Sequence, residues 1–188
     1  MNWILLLEQT LNGFQFGILL FLLAAGLTLI FGIMDLINLA HGSLYMMGAY
    51  FAATFIQWTD SFLFGALLAL LASMLFGVIL EVIALRTLYT RSHLDQVLAT
   101  FGLILFLNEF VRLIWGPIGL DIPLPDVLNG SLELFFGIRY PAFRLAIIAV
   151  GIAVAFLLYL LVSHTKIGML IRAGASNRQM VSALGVNI

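Results

Sequence analysis

Long stretches without a charged residue alternate with short polar segments along this chain. Three such stretches lie in turn between Glu8, Asp35, Asp60 and Glu81, and each contains at least 20 uncharged residues. A helix needs about 20 mostly apolar residues to cross the ~30 Å hydrocarbon layer of a membrane. Strict alternation of apolar and polar residues, which is typical of strands, is absent. The pattern therefore predicts an all-α integral membrane protein with about five transmembrane helices, at residues 11–34, 37–58, 61–85, 96–115 and 143–164.

The positions of the cationic residues indicate the orientation of these helices. Arg86 and Arg91 flank the connection between the third and fourth spans, and Lys166, Arg172 and Arg178 follow the fifth. Connections on the cytoplasmic side carry an excess of Lys and Arg, so both segments are predicted to be cytoplasmic. Five spans then place the N-terminus outside the cytoplasm and the C-terminus inside it.

The composition agrees with a membrane protein and excludes several other classes. Hydrophobic residues make up 63% of the 188 residues, charged residues only 9%, and the formal net charge is −1. The mean hydropathy is +1.16. An ordinary globular domain has about 25% charged residues. These values exclude a nucleic-acid-binding protein, a disordered tail and an ordinary cytosolic enzyme.

The sequence carries no recognisable catalytic or metal-binding motif. The only lysine, Lys166, is followed by Ile167, so no P-loop of the form G-x-x-x-x-G-K-[ST] exists to bind ATP. The three histidines lie more than fifty residues apart, and cysteine is absent. His41 and Ser43 do not form a hydrolase pair, because residues two apart on a helix do not face each other. We therefore predict no catalytic residue, no metal and no bound cofactor, and energy for uphill transport would come from another chain.

The stretch from Asn38 to Tyr50 is the most informative part of the sequence. On a continuous helix, Asn38, His41, Tyr45 and Gly48 would share one face through three- and four-residue spacing. Polar residues within membrane helices usually face the bundle interior or a water-filled cavity. Two interpretations stay open from the residues alone. The face lines a substrate pathway or a hinge beside it, or His41 is an interfacial histidine bonded to a neighbouring carbonyl.

Two segments carry the signature of a helix start. Ser92 with Asp95 three residues later predicts an N-cap for the fourth span. Ser176 with Gln179 predicts a capping box that opens a short amphipathic helix, which ends at Gly185. About ten residues are too few to cross a membrane, so this helix is predicted to lie on the membrane or to dock in a groove of a partner. Its apolar face consists of Met180, Val181 and Leu184, with Arg178 outside it.

Several blocks of the sequence resemble one known family. Residues 38–50 are similar to the signature N-A-H-G-x-x-Y-M-x-G-A-Y of the permease subunits of high-affinity branched-chain amino acid ABC transporters. Residues 98–105 and 111–116 resemble the fourth-span block of that family. Residues 165–168, 172–173 and 179–185 resemble its cytoplasmic loop, which docks on the ATPase subunit.

The resemblance implies a permease subunit of an importer that moves branched-chain amino acids across the bacterial inner membrane. Residues 1–165 would form the transmembrane permease domain, with a periplasmic N-terminus, and residues 166–188 the cytoplasmic coupling loop. The implied partners are a second permease subunit, cytoplasmic ATP-binding subunits that use ATP, and a periplasmic substrate-binding protein, with membrane lipid around the subunit and no nucleic acid.

The resemblance also implies roles for particular residues. The substrate pathway or its packing core would include Asn38, His41, Gly42 and Tyr45. Coupling to the ATPase would involve Ser176, Arg178, Gln179, Met180, Val181, Leu184 and Gly185.

Two features depart from the family pattern. Importer loops in general read E-A-A where this chain has Gln179, Met180 and Val181. The sequence stops three residues after Gly185, whereas members of the family continue much further, so the C-terminal remainder of the domain is expected to be missing. The alternatives are a permease or passive channel for urea or short amides, and a truncated remnant without function.

Overall fold

The computed structural model describes residues 3–34, 36–133, 139–183 and 185, and these residues form six α-helices. In chain order the helices are α1 (Trp3–Met34), α2 (His41–Thr59), α3 (Phe62–Leu80), α4 (His93–Trp115), α5 (Ala142–His164) and α6 (Lys166–Ala183). A π-helical turn at Glu81–Leu85 and a 3₁₀ turn at Arg86–Leu88 continue α3. Two short antiparallel strands, β1 (Ser131–Glu133) and β2 (Arg139–Pro141), pair with Leu132 opposite Tyr140. The all-α class predicted from the sequence is confirmed, with this hairpin as a small addition.

Four helices of the described chain are long and apolar enough to cross a membrane. They are Trp3–Gly32, Phe62–Leu88, His93–Trp115 and Ala142–His164. Helix α2 lies at the second predicted span and has 19 residues, but it is not among these four. Its sequence includes His41, Ser43 and Gln57, which make it less apolar than its neighbours.

The chain divides into two compact units. One unit contains Met34–Pro125, and therefore α2, α3 and α4. The other contains Met1–Ile33 together with Asp126–Ile188, and therefore nearly all of α1, the β-hairpin, α5 and α6.

Within the first of these units, α2 and α3 form a tightly packed antiparallel pair. Asp60 adopts a left-handed conformation with φ 48°, and Ser61 then caps α3 by accepting a hydrogen bond from the Phe64 N–H at 3.5 Å. At Gly65 the helices approach so closely that a Cβ would lie 2.6 Å from the Ile56 Cα. Small residues therefore determine how near these two helices come.

Helix α4 has a capped start and contacts α2 near its other end. Ser92 accepts a hydrogen bond from the Asp95 N–H at 3.3 Å, so the predicted N-cap is confirmed. At the other end, Trp115 packs against Tyr50, with ring centroids 5.2 Å apart, and donates its indole N–H to the Thr54 hydroxyl at 2.8 Å. Helix α4 thus lies along α2.

In the second unit, polar contacts tie the start of α5 to α1. Tyr140, only 2% exposed, donates its hydroxyl hydrogen to the Asn12 Oδ1 at 3.0 Å, and Arg144 donates to the same oxygen. Further along, a Cβ at Gly151 would collide with the Ile18 side chain. A glycine is therefore needed where α5 meets α1.

A sharp elbow joins α5 to α6. Thr165 is extended, and its hydroxyl accepts a hydrogen bond from the Gly168 N–H at 3.0 Å, which caps α6. Arg172 donates to the carbonyl of Val162 near the end of α5. A Cβ at Gly168 would overlap the carbonyls of Leu161 and Val162, so the elbow requires glycine at this position.

Helix α6 is kinked at Asn177, where φ is −158° and ψ is 92°. The Asn177 Oδ1 accepts a hydrogen bond from the Met180 N–H at 2.9 Å, so Asn177 is the N-cap of the short final segment. The prediction of a cap at Ser176 is wrong by one residue, because the chain leaves the helical region at Asn177. Gly185 has φ 83°, the left-handed conformation expected of a glycine that follows a helix.

Candidate functional site

Residues 36–40 form a non-helical break between α1 and α2 in which three of the five residues are buried. Leu36 is 1% exposed, Asn38 2% and Ala40 0%. Non-helical backbone at membrane depth is tolerated only where protein or a water-filled cavity satisfies its polar groups. The hydrogen-bond partners of this break therefore identify the residues on which it depends.

Two side chains of α4 supply these partners. The Gln96 Oε1 accepts a hydrogen bond from the Ile37 N–H at 3.1 Å, and the Thr100 hydroxyl accepts one from the Leu39 N–H at 3.3 Å. Gln96 is 2% exposed and Thr100 0%. Because residues four apart share a face of a helix, the two side chains together hold one edge of the break.

Gln96 also connects the break to the segment that precedes α4. Its Nε2 donates to the carbonyl of Leu88 at 3.2 Å and to that of Arg91 at 3.4 Å. The connection between α1 and α2 and the connection between α3 and α4 therefore meet at the same end of their unit. One buried amide is hydrogen-bonded to both connections.

Asn38 and His41 lie together where α2 begins. The Asn38 Oδ1 accepts a hydrogen bond from the Ala40 N–H at 3.0 Å, and the Asn38 carbonyl accepts one from the His41 N–H at 3.4 Å. The Asn38 Nδ2 and the His41 Nδ1 are buried, and neither has a hydrogen-bond partner among the described residues. A buried polar group without a partner costs roughly 1–3 kcal/mol, so these two atoms require an explanation.

The other two predicted residues of this stretch lie outside the core. Gly42 is exposed, and a Cβ built on it would meet nothing within 4 Å. Tyr45 is 59% exposed. Within this chain, neither residue contributes to a packing core.

The helix face predicted from the spacing of Asn38, His41, Tyr45 and Gly48 is not the buried one. Asn38 precedes the first residue of α2, so it is not on that helix at all. The residues of α2 that are buried are Ser43, Met47, Ala53 and Ile56.

Sequence reasoning missed Gln96 and Thr100 as members of the site. The sequence does show two hydrogen-bonding residues, four positions apart, in an otherwise apolar span. This signal places both on one face of α4, but it does not say which part of the chain they bind.

The predicted coupling residues that the structure describes lie beside the kink in α6 and after it, with Ser176 just before the kink. Ser176 and Gly185 are exposed, Met180 is 65% exposed, and Val181 is half-buried. The side chains of Arg178 and Gln179, and Leu184 as a whole, lie outside the part of the chain that the structure describes. The segment thus presents Met180 as an exposed apolar side chain.

The described ranges contain no group of three or more His, Cys, Asp or Glu side chains that could hold a metal ion. The candidate site consists instead of amide, hydroxyl and imidazole groups around a break in the backbone. Such groups bind polar ligands by hydrogen bonds and hold backbone segments in place.

Comparison with known proteins identifies the family of this sequence. A family model described as the permease component of branched-chain amino acid transport systems matches residues 9–188. The chain belongs to this family. Its four long apolar helices agree with the membrane permease that this family description names.

Curated relatives agree with this assignment. The high-affinity branched-chain amino acid transport system permease protein LivH of Escherichia coli (strain K12) is 30% identical over 197 residues. The permease protein BraD of Pseudomonas aeruginosa, described in the same words, is 31% identical over 196 residues. In both cases the match covers 96% of this chain and 62% of the relative, so the chain spans less than two thirds of the length of these relatives. No solved structure gives a significant match.

Proposed function

We propose that this protein is a permease subunit of an ABC importer that moves branched-chain amino acids across the bacterial inner membrane. The observation that carries the proposal is the family match over residues 9–188. The names of LivH and BraD, which describe branched-chain amino acid transport, support the choice of substrate.

The proposed subunit works with several partners. A periplasmic binding protein delivers the amino acid, a second permease subunit completes the pathway, and cytoplasmic ATP-binding subunits use ATP. This chain binds no cofactor itself, which is consistent with the lack of a P-loop around Lys166.

We place the N-terminus in the periplasm and the end of α6 in the cytoplasm. The concentration of Lys and Arg after α3 and after α5 supports this orientation. Contacts at the two ends of the α2–α4 unit are consistent with it. Gln96 joins the two connections that would be cytoplasmic, while the Gln57 Nε2 donates to the Asp121 carbonyl at 3.1 Å at the other end.

Coupling to ATP hydrolysis is assigned to residues 176–185. In this proposal, the exposed Met180 contacts a groove on the ATP-binding subunit, and movement of α6 reaches α5 through the elbow. The hydrogen bond from Arg172 to the Val162 carbonyl and the close approach at Gly168 make that elbow stiff. A stiff elbow lets a displacement of the short segment tilt a transmembrane helix.

The substrate pathway is assigned to Asn38, His41, Gly42 and Tyr45. Two buried nitrogen atoms without described partners, together with an exposed glycine and tyrosine, support a polar lining near the start of α2. Gln96 and Thr100 hold the backbone of this lining in place.

Uptake of radiolabelled leucine and urea by cells that express this protein together with the proposed partner subunits and binding protein tests the proposal. We expect leucine uptake that requires both ATP and the binding protein. Uptake of urea in preference to leucine, or flux through liposomes that contain this chain alone, would overturn it.

A charged residue on the coupling segment gives a sharper test. Met180→Asp is expected to uncouple ATP hydrolysis from leucine uptake while membrane insertion is unchanged, because a carboxylate cannot enter an apolar groove without a large desolvation cost. Met169→Asp, at an exposed methionine before the kink, is the matched control. If the ratio of leucine uptake to ATP hydrolysis is the same in Met180→Asp as in the parent, the assignment of residues 176–185 is wrong.

A further inference from the structure

Helix α2 begins without a side-chain cap. Its N-cap residue is Ala40, which has no side-chain acceptor. The N–H groups of Gly42 and Ser43 have no acceptor among the described residues. Free N–H groups and the helix dipole together make the start of a helix favourable for a carboxylate or another anion.

A second observation points to a ligand at the same place. Because the Asn38 Oδ1 accepts the Ala40 N–H, the orientation of the amide is fixed, and its Nδ2 is a donor without a described partner. Asn38 is 2% exposed, so its amide is held in a protein environment where an unmade hydrogen bond is costly. The His41 Nδ1, also buried and unpartnered among the described residues, lies at the first position of the same helix and is a second donor when it carries the ring proton.

Gly42 leaves the approach to this helix start open. It is exposed, and no atom lies within 4 Å of the position that a Cβ would occupy. Packing therefore does not require glycine here, but a side chain would cover the neighbouring N–H groups. An open glycine beside unpaired donors suits a ligand that comes close to the backbone.

We propose that the first turn of α2, together with Asn38 and His41, binds the α-carboxylate of the transported amino acid. This proposal rests on the proposed function and adds a chemical criterion to it, because urea and short amides have no carboxylate. The carboxylate approaches the Gly42 and Ser43 N–H groups from the exposed side. The Asn38 Nδ2 adds a donor beside the same turn, because the Asn38 Oδ1 accepts the Ala40 N–H just before the helix begins.

Amide signals of the isotope-labelled full chain in lipid nanodiscs test the subsite directly. The probes are leucine, isovalerate, which keeps the carboxylate but lacks the ammonium group, leucinamide, which lacks the carboxylate, and urea. We expect leucine and isovalerate to shift the Gly42 and Ser43 amide signals, and leucinamide and urea to leave them unchanged. Equal shifts with leucine and leucinamide, or no shift with any probe, would overturn the proposal.

Two variants separate ligand binding from folding. Asn38→Asp keeps an oxygen for the Ala40 N–H but replaces the free donor with an anionic oxygen, so isovalerate should bind at least ~10-fold more weakly. Gly42→Ala adds a methyl group beside the open N–H groups and should also weaken binding. Its helix should remain intact, because alanine is a better helix former than glycine. Gly102→Ala on α4, another position with open space around it, is the matched control and should bind normally.

The leucine uptake assay keeps this inference separate from the proposed function. Leucine uptake without any response of the Gly42 and Ser43 amides would refute the subsite and leave the importer function standing. A response to isovalerate in a protein that imports no leucine would support the subsite and refute the function. Isovalerate binding that is unchanged in both Asn38→Asp and Gly42→Ala would refute the subsite as well.

Discussion

Thr100 lies at the centre of the contact between α4 and the break before α2. It is fully buried, accepts the Leu39 N–H at 3.3 Å and donates to the Gln96 carbonyl at 2.7 Å. Thr100→Val keeps the shape of the side chain but leaves the Leu39 N–H without its hydrogen-bond acceptor. We expect the free energy of unfolding in detergent to fall by roughly 1–3 kcal/mol.

Thr100→Ser is the control for this substitution, because it keeps the hydroxyl and removes only a methyl group. Its loss of stability should be smaller than that of the valine variant. If the valine variant is as stable as the parent while the serine variant is not, packing of the methyl group, and not the hydrogen bond, holds the break.

At the scale of single residues, the sequence predicts candidates but not their partners. Asn38 and His41 can be identified as candidate site residues because polar side chains are rare in membrane spans. Gln96 carries the same signal, but the backbone group that it binds belongs to Ile37, 59 positions earlier. Only the packing of α4 against the start of α2 brings these residues together, and no local pattern encodes it.

At the scale of secondary-structure elements, the pair formed by α2 and α3 depends on one close contact between the two helices. A Cβ at Gly65 would lie 2.6 Å from the Ile56 Cα and 2.7 Å from its backbone nitrogen, and neither atom can move without the helix. Gly65→Ala should therefore force the helices apart and lower the free energy of unfolding by roughly 1–3 kcal/mol. Denaturation of the purified protein in detergent measures this loss.

Gly77→Ala is a matched control on the same helix, since a Cβ there meets nothing within 4 Å. Alanine favours the helix over glycine by up to ~1 kcal/mol, so this variant should be as stable as the parent or more stable. Equal effects of the two substitutions would show that the contact with Ile56 does not limit the helix pair.

The final segment of α6 offers a test of where its cap lies. Because the Asn177 Oδ1 accepts the Met180 N–H at 2.9 Å, Asn177→Ala should cost the segment ~1 kcal/mol and speed hydrogen exchange at the Met180 amide. Ser176→Ala should leave that exchange rate unchanged. Faster exchange in the Ser176 variant alone would place the cap where the sequence pattern puts it.

Helix starts could be predicted where one capping residue stands alone. Ser92 is followed by Asp95 at the favoured spacing, and the cap forms there. Ser176 and Asn177 are adjacent and both can cap, so the sequence leaves a one-residue ambiguity that the backbone conformation at Asn177 decides. The start of α2 at His41 was not predictable, since distant side chains on α4 stabilise the non-helical residues before it.

For the whole molecule, the fold class follows from the length of the uncharged stretches, because hydrocarbon leaves a chain few structural options. The hairpin of β1 and β2 does not follow from it. Its strands are three residues each, and they form by pairing across a connection, not by their own propensity. The number of spans also depends on α2, which has 19 residues but is not among the four helices that are long and apolar enough to cross a membrane.

The absence of cysteine from the sequence allows single cysteines to report on the side of the membrane. Asp60, Leu39 and Arg91 are all exposed positions in connections between helices. We expect Asp60→Cys to react with a membrane-impermeant maleimide added to intact spheroplasts. Leu39→Cys and Arg91→Cys should react only after the membrane is permeabilised, because the proposed orientation places them in the cytoplasm.

The Leu39 variant decides whether α2 crosses the membrane. Helix α3 is one of the four apolar helices, so Asp60 and Arg91 should lie on opposite sides whatever α2 does. If Leu39→Cys reacts on the same side as Asp60→Cys, α2 does not span the membrane and the described chain has four spans. Reaction on the side of Arg91→Cys gives five spans. It would also place the amide of Gln96 at the cytoplasmic end of three helices, on the side where the proposed ATP-binding subunits would lie.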